Sequence, residues 1–221
     1  MFDAISPTYE RVNRLVSLGR DAAWRCRAVE AAELRSSEIV LDVCCGTGDM
    51  IREFARHDPP PRMILGVDFA GEMLAHGHYD SLRVRHYLLR ADGLRLPLAD
   101  QTVDVVSSAF GVRNFQDLEA GLREMHRVLR PGGRVIILEF ALPENPLFRM
   151  LYRIYCESIL PILAAVLSRD RTGAYRYLPS SIRTFERRSE MTGRLKACGF
   201  TEVTTTAMNF GGVVIYCGRR F

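Results

Sequence analysis

Short apolar runs recur along the chain from residue 39 onward, and longer segments of mixed apolar and polar residues separate them. The runs are rich in Val, Ile and Leu, which is typical of β-strands buried in a sheet. Strands that alternate with helical segments predict a parallel sheet with helices on both faces. The first five predicted strands are Ile39–Cys44, Met63–Val67, Val84–Leu89, Val103–Ala109 and Arg134–Phe140.

Helical segments are predicted between and around these strands. The clearest is Asp117–Leu129, where apolar residues recur at the spacing of one helix face. Pro131-Gly132-Gly133 follows it and predicts a turn from helix to strand. Further helices are predicted over residues 2–36 with a break at Gly19, over residues 146–167, and near Ser189–Ala197.

The end of the chain has a different pattern. Two predicted strands, Thr201–Thr206 and Gly212–Cys217, are separated by only a short turn region, which indicates an antiparallel hairpin. The predicted fold is therefore α/β and Rossmann-like: a seven-stranded, mostly parallel sheet with a C-terminal antiparallel hairpin and helices on both faces.

The bulk composition is that of a soluble globular domain. The chain has 221 residues, of which 48% are hydrophobic and 25% are charged, and this length suits one domain with a large core. The net charge of +4 is unevenly distributed. Residues 1–142 contain 18 basic and 20 acidic residues, a net −2, whereas residues 143–221 contain 12 and 6, a net +6.

Cysteine spacing and the length of the apolar runs argue against a disulfide-rich, metal-binding or membrane-spanning protein. The six cysteines form no CxxC pair, so we expect free thiols in a reducing cytoplasm and no metal site. The first residues are too charged for a signal peptide. The longest apolar run, Ile159–Leu167, contains Pro161 and is far shorter than the roughly 20 residues of a membrane span. We therefore expect a cytoplasmic protein without a transmembrane helix.

The segment VLDVCCGTGDM, residues 40–50, places a glycine loop directly after the first predicted strand. Glycines there let a ligand approach the backbone closely, and both dinucleotides and S-adenosylmethionine bind at such loops. A dinucleotide site has the pattern GxGxxG, but here Gly46 and Gly48 are followed by Ile51. The missing third glycine disfavours an NAD-dependent oxidoreductase.

Four aspartates are expected around the same crevice, namely Asp42 and Asp49 beside the loop and Asp68 and Asp92 after the next two strands. Their charges would repel a pyrophosphate but suit the ammonium, sulfonium and ribose hydroxyls of S-adenosylmethionine. We expect Asp68 to accept both ribose hydroxyls, Asp42 to order the loop and the methionine ammonium, and Asp92 to face the adenine amino group. The alternative is that they cap loops in an unrelated α/β protein.

Nine motifs resemble, in order, those of the menaquinone/ubiquinone-biosynthesis C-methyltransferase family along nearly the whole chain. They are FDAISPTYERVN, LDVCCGTGD, GVDFAGEML, LPLADQTVDVV, FGVRNFQD, HRVLRPGGR, LEF, YRYLPSSIR and GGVV. The resemblance implies a class I methyltransferase that uses S-adenosylmethionine. The family's cofactor contacts correspond to Thr47, Asp68 and the pair Asp92–Gly93, whereas Ala109 stands where the family has a serine before FG.

The resemblance also implies the reaction: methylation of a ring carbon of a reduced polyprenyl quinone, either demethylmenaquinol or a related benzoquinol. Such a carbon becomes nucleophilic as its ring hydroxyl loses a proton. We expect Arg113 and Asn114, just past the fourth strand, to act in catalysis. Arg113 is charged at any ordinary pH, so it would stabilise the quinolate or polarise a water that takes the proton. A structural ion pair of Arg113 at the sheet edge is the alternative.

Four further residues are expected to bind the substrate. Tyr9 and Asn13 would close the active site from above, with simple helix packing as the alternative. Tyr175 and Tyr177 would line the substrate pocket. The chain has no wider basic stripe around them, so nucleic acid is not expected as a partner.

A membrane surface is expected as a second partner. The apolar segment Leu147–Leu167 carries Arg149 and Arg153 one turn apart and lies in the part of the chain with net charge +6. This pattern favours peripheral contact with anionic lipid at the inner membrane face. A helix packed into the core or into a homodimer interface is the alternative.

We predict a single methyltransferase domain over residues 1–221. Its parts are an N-terminal helical cap (1–37), a cofactor-binding core (38–142), a substrate-side helical region (143–200) and the hairpin (201–221). Two other functions remain open: methylation of another small molecule, and a non-catalytic S-adenosylmethionine-binding subunit of a quinone-biosynthesis complex.

Overall fold

A seven-stranded sheet organises the chain. The computed structural model describes residues 17, 19–79, 82–155, 158, 181 and 185–221. The strands are β1 (Ile39–Val43), β2 (Met63–Asp68), β3 (Arg85–Arg90), β4 (Val103–Ala109), β5 (Leu129–Phe140), β6 (Thr201–Met208) and β7 (Val213–Arg219).

Six α-helices are present among the described residues. They are α1 (Asp21–Glu30), α2 (Asp49–Arg56), α3 (Gly71–Ala75), α4 (Leu118–Val128), α5 (Pro146–Ile154) and α6 (Arg188–Ala197), and 3-10 turns lie at Val112–Asn114 and Asn209–Gly211. The predicted helices at 117–129 and 189–197 are confirmed to within one residue at each end. The Asp117 side chain accepts a hydrogen bond from the Ala120 N–H at 3.0 Å and so caps α4.

The strand order β3-β2-β1-β4-β5-β7-β6 confirms the predicted topology. Strands β1 to β5 pair in parallel, and β7 pairs antiparallel with both β5 and β6. The chain places β2 and β3 on one side of β1 and then crosses to the other side of β1 to add β4 and β5. Ligands of open α/β sheets bind at such a point, beyond the carboxyl ends of the strands.

Helices and apolar side chains cover the sheet on both faces. On one face Leu122, Met125 and Val128 of α4 join the buried cluster that contains Leu41. On the other face Phe54 of α2 packs in the cluster that contains Val40. Every residue of β1 is buried, as expected for a central strand of a parallel sheet.

The expected turn at Pro131-Gly132-Gly133 is a wrong prediction, because these residues lie inside β5. Gly132, with φ of +78°, interrupts the ladder locally. Its N–H donates to the Arg220 carbonyl at 2.7 Å, and the Arg220 N–H donates to the Gly133 carbonyl at 2.8 Å. The backbone groups of the glycine pair are thus bonded to the last residues of the chain, so the strand starts directly after α4.

The helix predicted over residues 2–36 is also too long at its C-terminal end. Gly19 has φ of +74°, which confirms the break, but α1 ends at Glu30. The backbone is left-handed at Glu33, with φ of +48°, which a continuing right-handed helix does not allow. Arg134 of β5, about a hundred positions away, holds this bend, because its guanidinium donates to the carbonyls of Ala32 and Glu33 and forms an ion pair with Glu38 at 2.8 Å. Residues 2–16 of this prediction lie outside the described residues.

Candidate active site

The loop between β1 and α2 has a backbone that only small residues can follow. Gly46 and Gly48 have φ of +54° and +84°, in the left-handed region that favours glycine. A Cβ at Gly48 would lie 2.3 Å from the ring of Tyr79, and the Tyr79 hydroxyl donates to the Gly46 carbonyl at 3.2 Å. Tyr79 therefore supports the loop by packing against Gly48 and bonding to Gly46. The sequence did not indicate this role.

Asp68, at the end of β2, holds the same loop from the side. Its Oδ2 accepts the Gly46 N–H and its Oδ1 accepts the Ala70 N–H, both at 2.8 Å. These bonds to the backbone fix the carboxylate at the carboxyl edge of the sheet. The expected contact of Asp68 with the ribose hydroxyls stays a prediction, and it must use acceptor positions of a carboxylate that already accepts two hydrogen bonds.

Asp42 lies in β1 with only 1% of its surface exposed. Its Oδ1 accepts the Ser107 hydroxyl of neighbouring β4 at 2.6 Å, whereas its Oδ2 has no hydrogen-bond partner among the described residues. Burial raises the pKa of Asp42 to about 7, despite the opposing effects of the Ser107 hydrogen bond and the nearby Arg25 charge; Asp68 adds to the rise. A buried acceptor of this kind fits a cationic group of a ligand.

Asp49, one of the four aspartates expected around the crevice, does not have the unpaired charge that was predicted for it. Asp49, at the start of α2, forms ion pairs with Arg25 at 2.9 Å and with Arg52. Its charge is therefore neutralised within the protein, and the crevice is less negative than four unpaired carboxylates would make it. Arg25 comes from α1, and sequence reasoning missed it because nothing local shows which acid a buried arginine will meet.

Asp92 and Gly93 follow β3 and form a tight turn. The Asp92 carboxylate accepts the Leu94 N–H at 2.9 Å. A Cβ at Gly93 would lie 3.0 Å from the Phe115 ring and 3.2 Å from Val43, so packing against β1 favours glycine here. The Ala91 N–H donates to the Asp68 carbonyl at 3.0 Å, which places this turn beside the end of β2. The adenine contact expected of Asp92 stays a prediction.

A small pocket brings the predicted loop residues together. It is lined by Arg25, Asp42, Cys44, Cys45, Gly46, Thr47, Asp49, Met50 and Ala109. Thr47 is buried, and its carbonyl accepts a hydrogen bond from Arg52 at 2.8 Å. Ala109 borders the pocket, so the position at which the family has a serine lies where a ligand would be.

Arg113 and Asn114 lie in the 3-10 turn that follows β4. Arg113 forms an ion pair with Glu139 of β5 at 2.9 Å, and the two side chains are 6% and 0% exposed. Its Nη1 also donates to the Phe110 carbonyl, and its Nε donates to Ser181 at 3.4 Å. Burial raises the pKa of Glu139, although the Arg113 charge opposes the rise. The ion pair considered as an alternative for Arg113 is therefore present, and it leaves the catalytic role a prediction.

The four residues expected to bind the substrate, Tyr9, Asn13, Tyr175 and Tyr177, lie outside the described residues. Within the described part of the chain, no group of three or more His, Cys, Asp or Glu side chains is arranged to hold a metal ion.

Fold and site together define a class I methyltransferase, whose cofactor is S-adenosylmethionine. The defining features are the glycine loop after β1, the acid at the end of β2, and a parallel sheet in which the antiparallel β7 lies between β5 and β6. The pocket fits this cofactor, because the buried acceptor of Asp42 suits an ammonium group and the glycine loop leaves its backbone open to close approach.

Comparison with known proteins identifies the family. A model described as the ubiE/COQ5 methyltransferase family matches residues 1–220. The chain therefore belongs to the ubiE/COQ5 methyltransferase family, which confirms the resemblance found in its motifs.

Similar proteins include two relatives that match over the entire chain. One is a demethylmenaquinone methyltransferase of Thermus thermophilus, 41% identical over 227 residues that cover 100% of both proteins. The other is a ubiquinone/menaquinone biosynthesis C-methyltransferase UbiE of Geobacter sulfurreducens, 40% identical over 225 residues that cover 100% of this chain and 87% of the relative. Among solved structures, a possible histamine N-methyltransferase of Thermotoga maritima has the same fold, with a TM-score of 0.67, 19% identity, and 100% and 98% of the two chains covered.

The raised pKa of Asp42 leads to a prediction for folding stability in the absence of cofactor. In the unfolded chain an aspartate has a pKa near 3.9, so between about pH 4 and pH 7 the folded state holds a proton that the unfolded state has lost. The free energy of unfolding should therefore fall as the pH rises through this window, by an amount on the order of a few kcal/mol for this group. Asp42→Asn should remove that part of the decline. Relative to the wild type, the variant's free energy of unfolding should therefore be higher at pH 8 than at pH 5. Urea unfolding of both proteins at the two pH values measures it, and parallel pH profiles would show that Asp42 ionises normally.

Proposed function

We propose that this protein transfers the methyl group of S-adenosylmethionine to a ring carbon of a reduced polyprenyl quinone, with demethylmenaquinol as the preferred substrate. The observation that carries the proposal is the family match over residues 1–220, together with a Thermus thermophilus relative named as a demethylmenaquinone methyltransferase that aligns over the full length of both chains. The benzoquinol remains the second candidate, because the Geobacter sulfurreducens relative is named for both pathways.

The cofactor supplies a methyl group already activated on a sulfonium, so the protein's task is alignment and control of charge. The quinol hydroxyl loses its proton to water, and the ring carbon forms a bond to the methyl carbon as the carbon–sulfur bond breaks and leaves S-adenosylhomocysteine. The proton on that ring carbon then moves through water to the quinol oxygen, which restores the aromatic ring with one proton released overall. Asp42, Gly46, Thr47 and Gly48 would hold the cofactor's amino-acid end. Asp68 and the pair Asp92–Gly93 would hold its ribose and adenine.

Arg113 would act on the quinol oxygen. The Glu139 carboxylate holds Nη1 from one side, and the Phe140 ring lies 5.4 Å from the Arg113 Cζ, so the guanidinium has one orientation before substrate arrives. A preorganised cation of this kind stabilises the negative charge that grows on the oxygen as its proton leaves. Asn114 lies in the same turn, and Tyr9, Asn13, Tyr175 and Tyr177 would complete the substrate site.

An exposed apolar stripe on α5 supports peripheral membrane contact as the route to a polyprenyl substrate. Leu147, Met150, Leu151 and Ile154 recur at helical spacing on one face and are each about half exposed. Phe210, which is 73% exposed, stacks on Phe148 with ring centroids 4.4 Å apart and extends the apolar surface. No helix in the described residues is both long and apolar enough to cross a membrane. We propose that this surface contacts the anionic inner face of the membrane, aided by the net +6 of residues 143–221.

The substrate proposal is tested with purified protein, S-adenosylmethionine and short-chain demethylmenaquinol or its benzoquinol counterpart under reducing conditions. We expect mass spectrometry to show a singly methylated quinol, formed faster from the naphthoquinol. A strain lacking the gene should accumulate the demethylated quinone. Binding of the cofactor without turnover of either ring would favour a non-catalytic subunit, and a normal quinone pool in the deletion strain would favour another small-molecule substrate.

The role of Arg113 requires variants that do not simply unfold the protein, because Arg113→Ala would leave the buried Glu139 without a counter-charge, at a cost of about 3–5 kcal/mol. Arg113→Lys keeps the charge but loses the planar fork. We expect its kcat to fall, but by less than the roughly 100-fold that loss of a preorganised donor costs, while cofactor affinity stays within a few-fold. The double variant Arg113→Met with Glu139→Gln removes both charges together. Near-normal turnover in a folded double variant would assign Arg113 a structural role only.

Membrane contact is measured by co-sedimentation with vesicles of phosphatidylglycerol or phosphatidylcholine. The wild type should bind the anionic vesicles several-fold better at low salt, and the double variant Met150→Glu with Leu151→Glu should lose most of this binding. Tyr87→Glu is the matched control, because Tyr87 is 53% exposed on β3 and lies outside the stripe. Equal wild-type sedimentation with both lipids at every salt concentration would contradict the proposal.

A further inference from the structure

Two buried polar atoms without a hydrogen-bond partner among the described residues belong to side chains that line the same pocket. One is Oδ2 of Asp42, an acceptor, and the other is Nε of Arg25, a donor. The residues are 1% and 6% exposed. A buried polar atom that makes no hydrogen bond costs stability, so this pair marks a place where a ligand would recover the loss.

Arg25 is held rigidly by the rest of its guanidinium. Nη1 donates to Asp21 at 2.6 Å, Nη2 pairs with Asp49 at 2.9 Å, and the Phe110 ring lies 5.7 Å from Cζ. These contacts join α1 to the start of α2 and leave the Nε–H as the donor that the described protein groups do not use. The side chain is therefore already oriented before any ligand binds.

The charges of the ion pairs around Arg25 balance one another without a ligand, and the Asp42 carboxylate takes no part in these pairs. Arg25 and Arg52 together neutralise Asp21 and Asp49. The two unpartnered atoms call for ligand groups of opposite polarity, a cation for the Oδ2 acceptor of Asp42 and an anion for the Nε–H donor of Arg25. An α-amino acid has such a pair of groups, an ammonium and a carboxylate on one carbon.

We infer that Arg25 binds the carboxylate of the methionine part of S-adenosylmethionine, so that Arg25 and Asp42 together recognise the amino-acid zwitterion. The inference rests on the cofactor that the fold and family assign, and it adds a contact from α1, ahead of the sheet. Arg25 is then a specificity-determining residue: it separates the complete cofactor from analogues that keep the sulfonium and ammonium but lack the carboxylate.

Calorimetric titration with two ligands tests this contact without any turnover. The ligands are S-adenosylmethionine and its decarboxylated form, S-adenosylmethioninamine, which keeps the ammonium and lacks only the carboxylate. The wild type should bind the complete cofactor about 10- to 100-fold more tightly. Arg25→Met should weaken S-adenosylmethionine by a similar factor and change the affinity for the decarboxylated ligand by less than about threefold, which removes the preference. Asp42→Asn should weaken both ligands alike, because both carry the ammonium.

Arg52→Met is the matched control. Arg52 shares Asp49 with Arg25 and supports the Thr47 carbonyl, but it is not among the pocket-lining residues; its loss should affect both ligands equally. Equal weakening of both ligands by Arg25→Met would make Arg25 a structural brace and overturn the inference. Equal affinity of the wild type for both ligands would overturn it without any variant, whereas failure of the wild type to bind either would refute the cofactor assignment instead.

Discussion

Burial of the Asp42 carboxylate in the middle of the sheet is the constraint on which the site depends. β1 is covered on both faces, so Asp42 has no access to bulk water, and its position beside Ser107 of β4 satisfies only one of its two oxygens. Desolvation of a charge is costly unless it is paired. Asp42, the residue before the last of β1, therefore offers a buried acceptor that the cation of the proposed ligand would complete.

The arginines of the site follow from the same physics. Arg25 and Arg113 are both nearly fully buried, and each is held by carboxylates from other elements of the fold. Such pairs contribute less to stability than their geometry suggests, because desolvation offsets most of the attraction. Their main consequence is orientation, since the bonds of each guanidinium hold it in one position. They also make single substitutions hard to interpret, because removal of one partner leaves a buried charge behind.

The sheet separates the two halves of the proposed reaction. The loop after β1, the end of β2 and the turn after β3 surround the proposed cofactor site, whereas Arg113 follows β4 and its partner Glu139 lies one residue before the end of β5. The apolar stripe of α5 comes next in the chain. We propose that a quinol ring enters from this second half, with its prenyl tail towards the membrane, so that the fold brings a water-soluble methyl donor and a lipid-soluble acceptor to one crevice.

Patterns in the amino-acid sequence predicted the order of strands and helices, the position of the glycine loop, the terminal hairpin and the family. Hydrophobic periodicity, glycines in a loop and short motifs are local properties, and local properties can be read from neighbouring residues. The partners of the charged side chains, and the backbone that those partners hold, could be seen only in the folded protein. Arg134 bonds carbonyls about a hundred residues earlier, just past the end of α1, Arg220 bonds the backbone of the glycine pair in β5, and Arg25 neutralises one of the aspartates expected around the crevice. Each of these contacts joins distant parts of the chain, so its geometry exists only once the fold has formed.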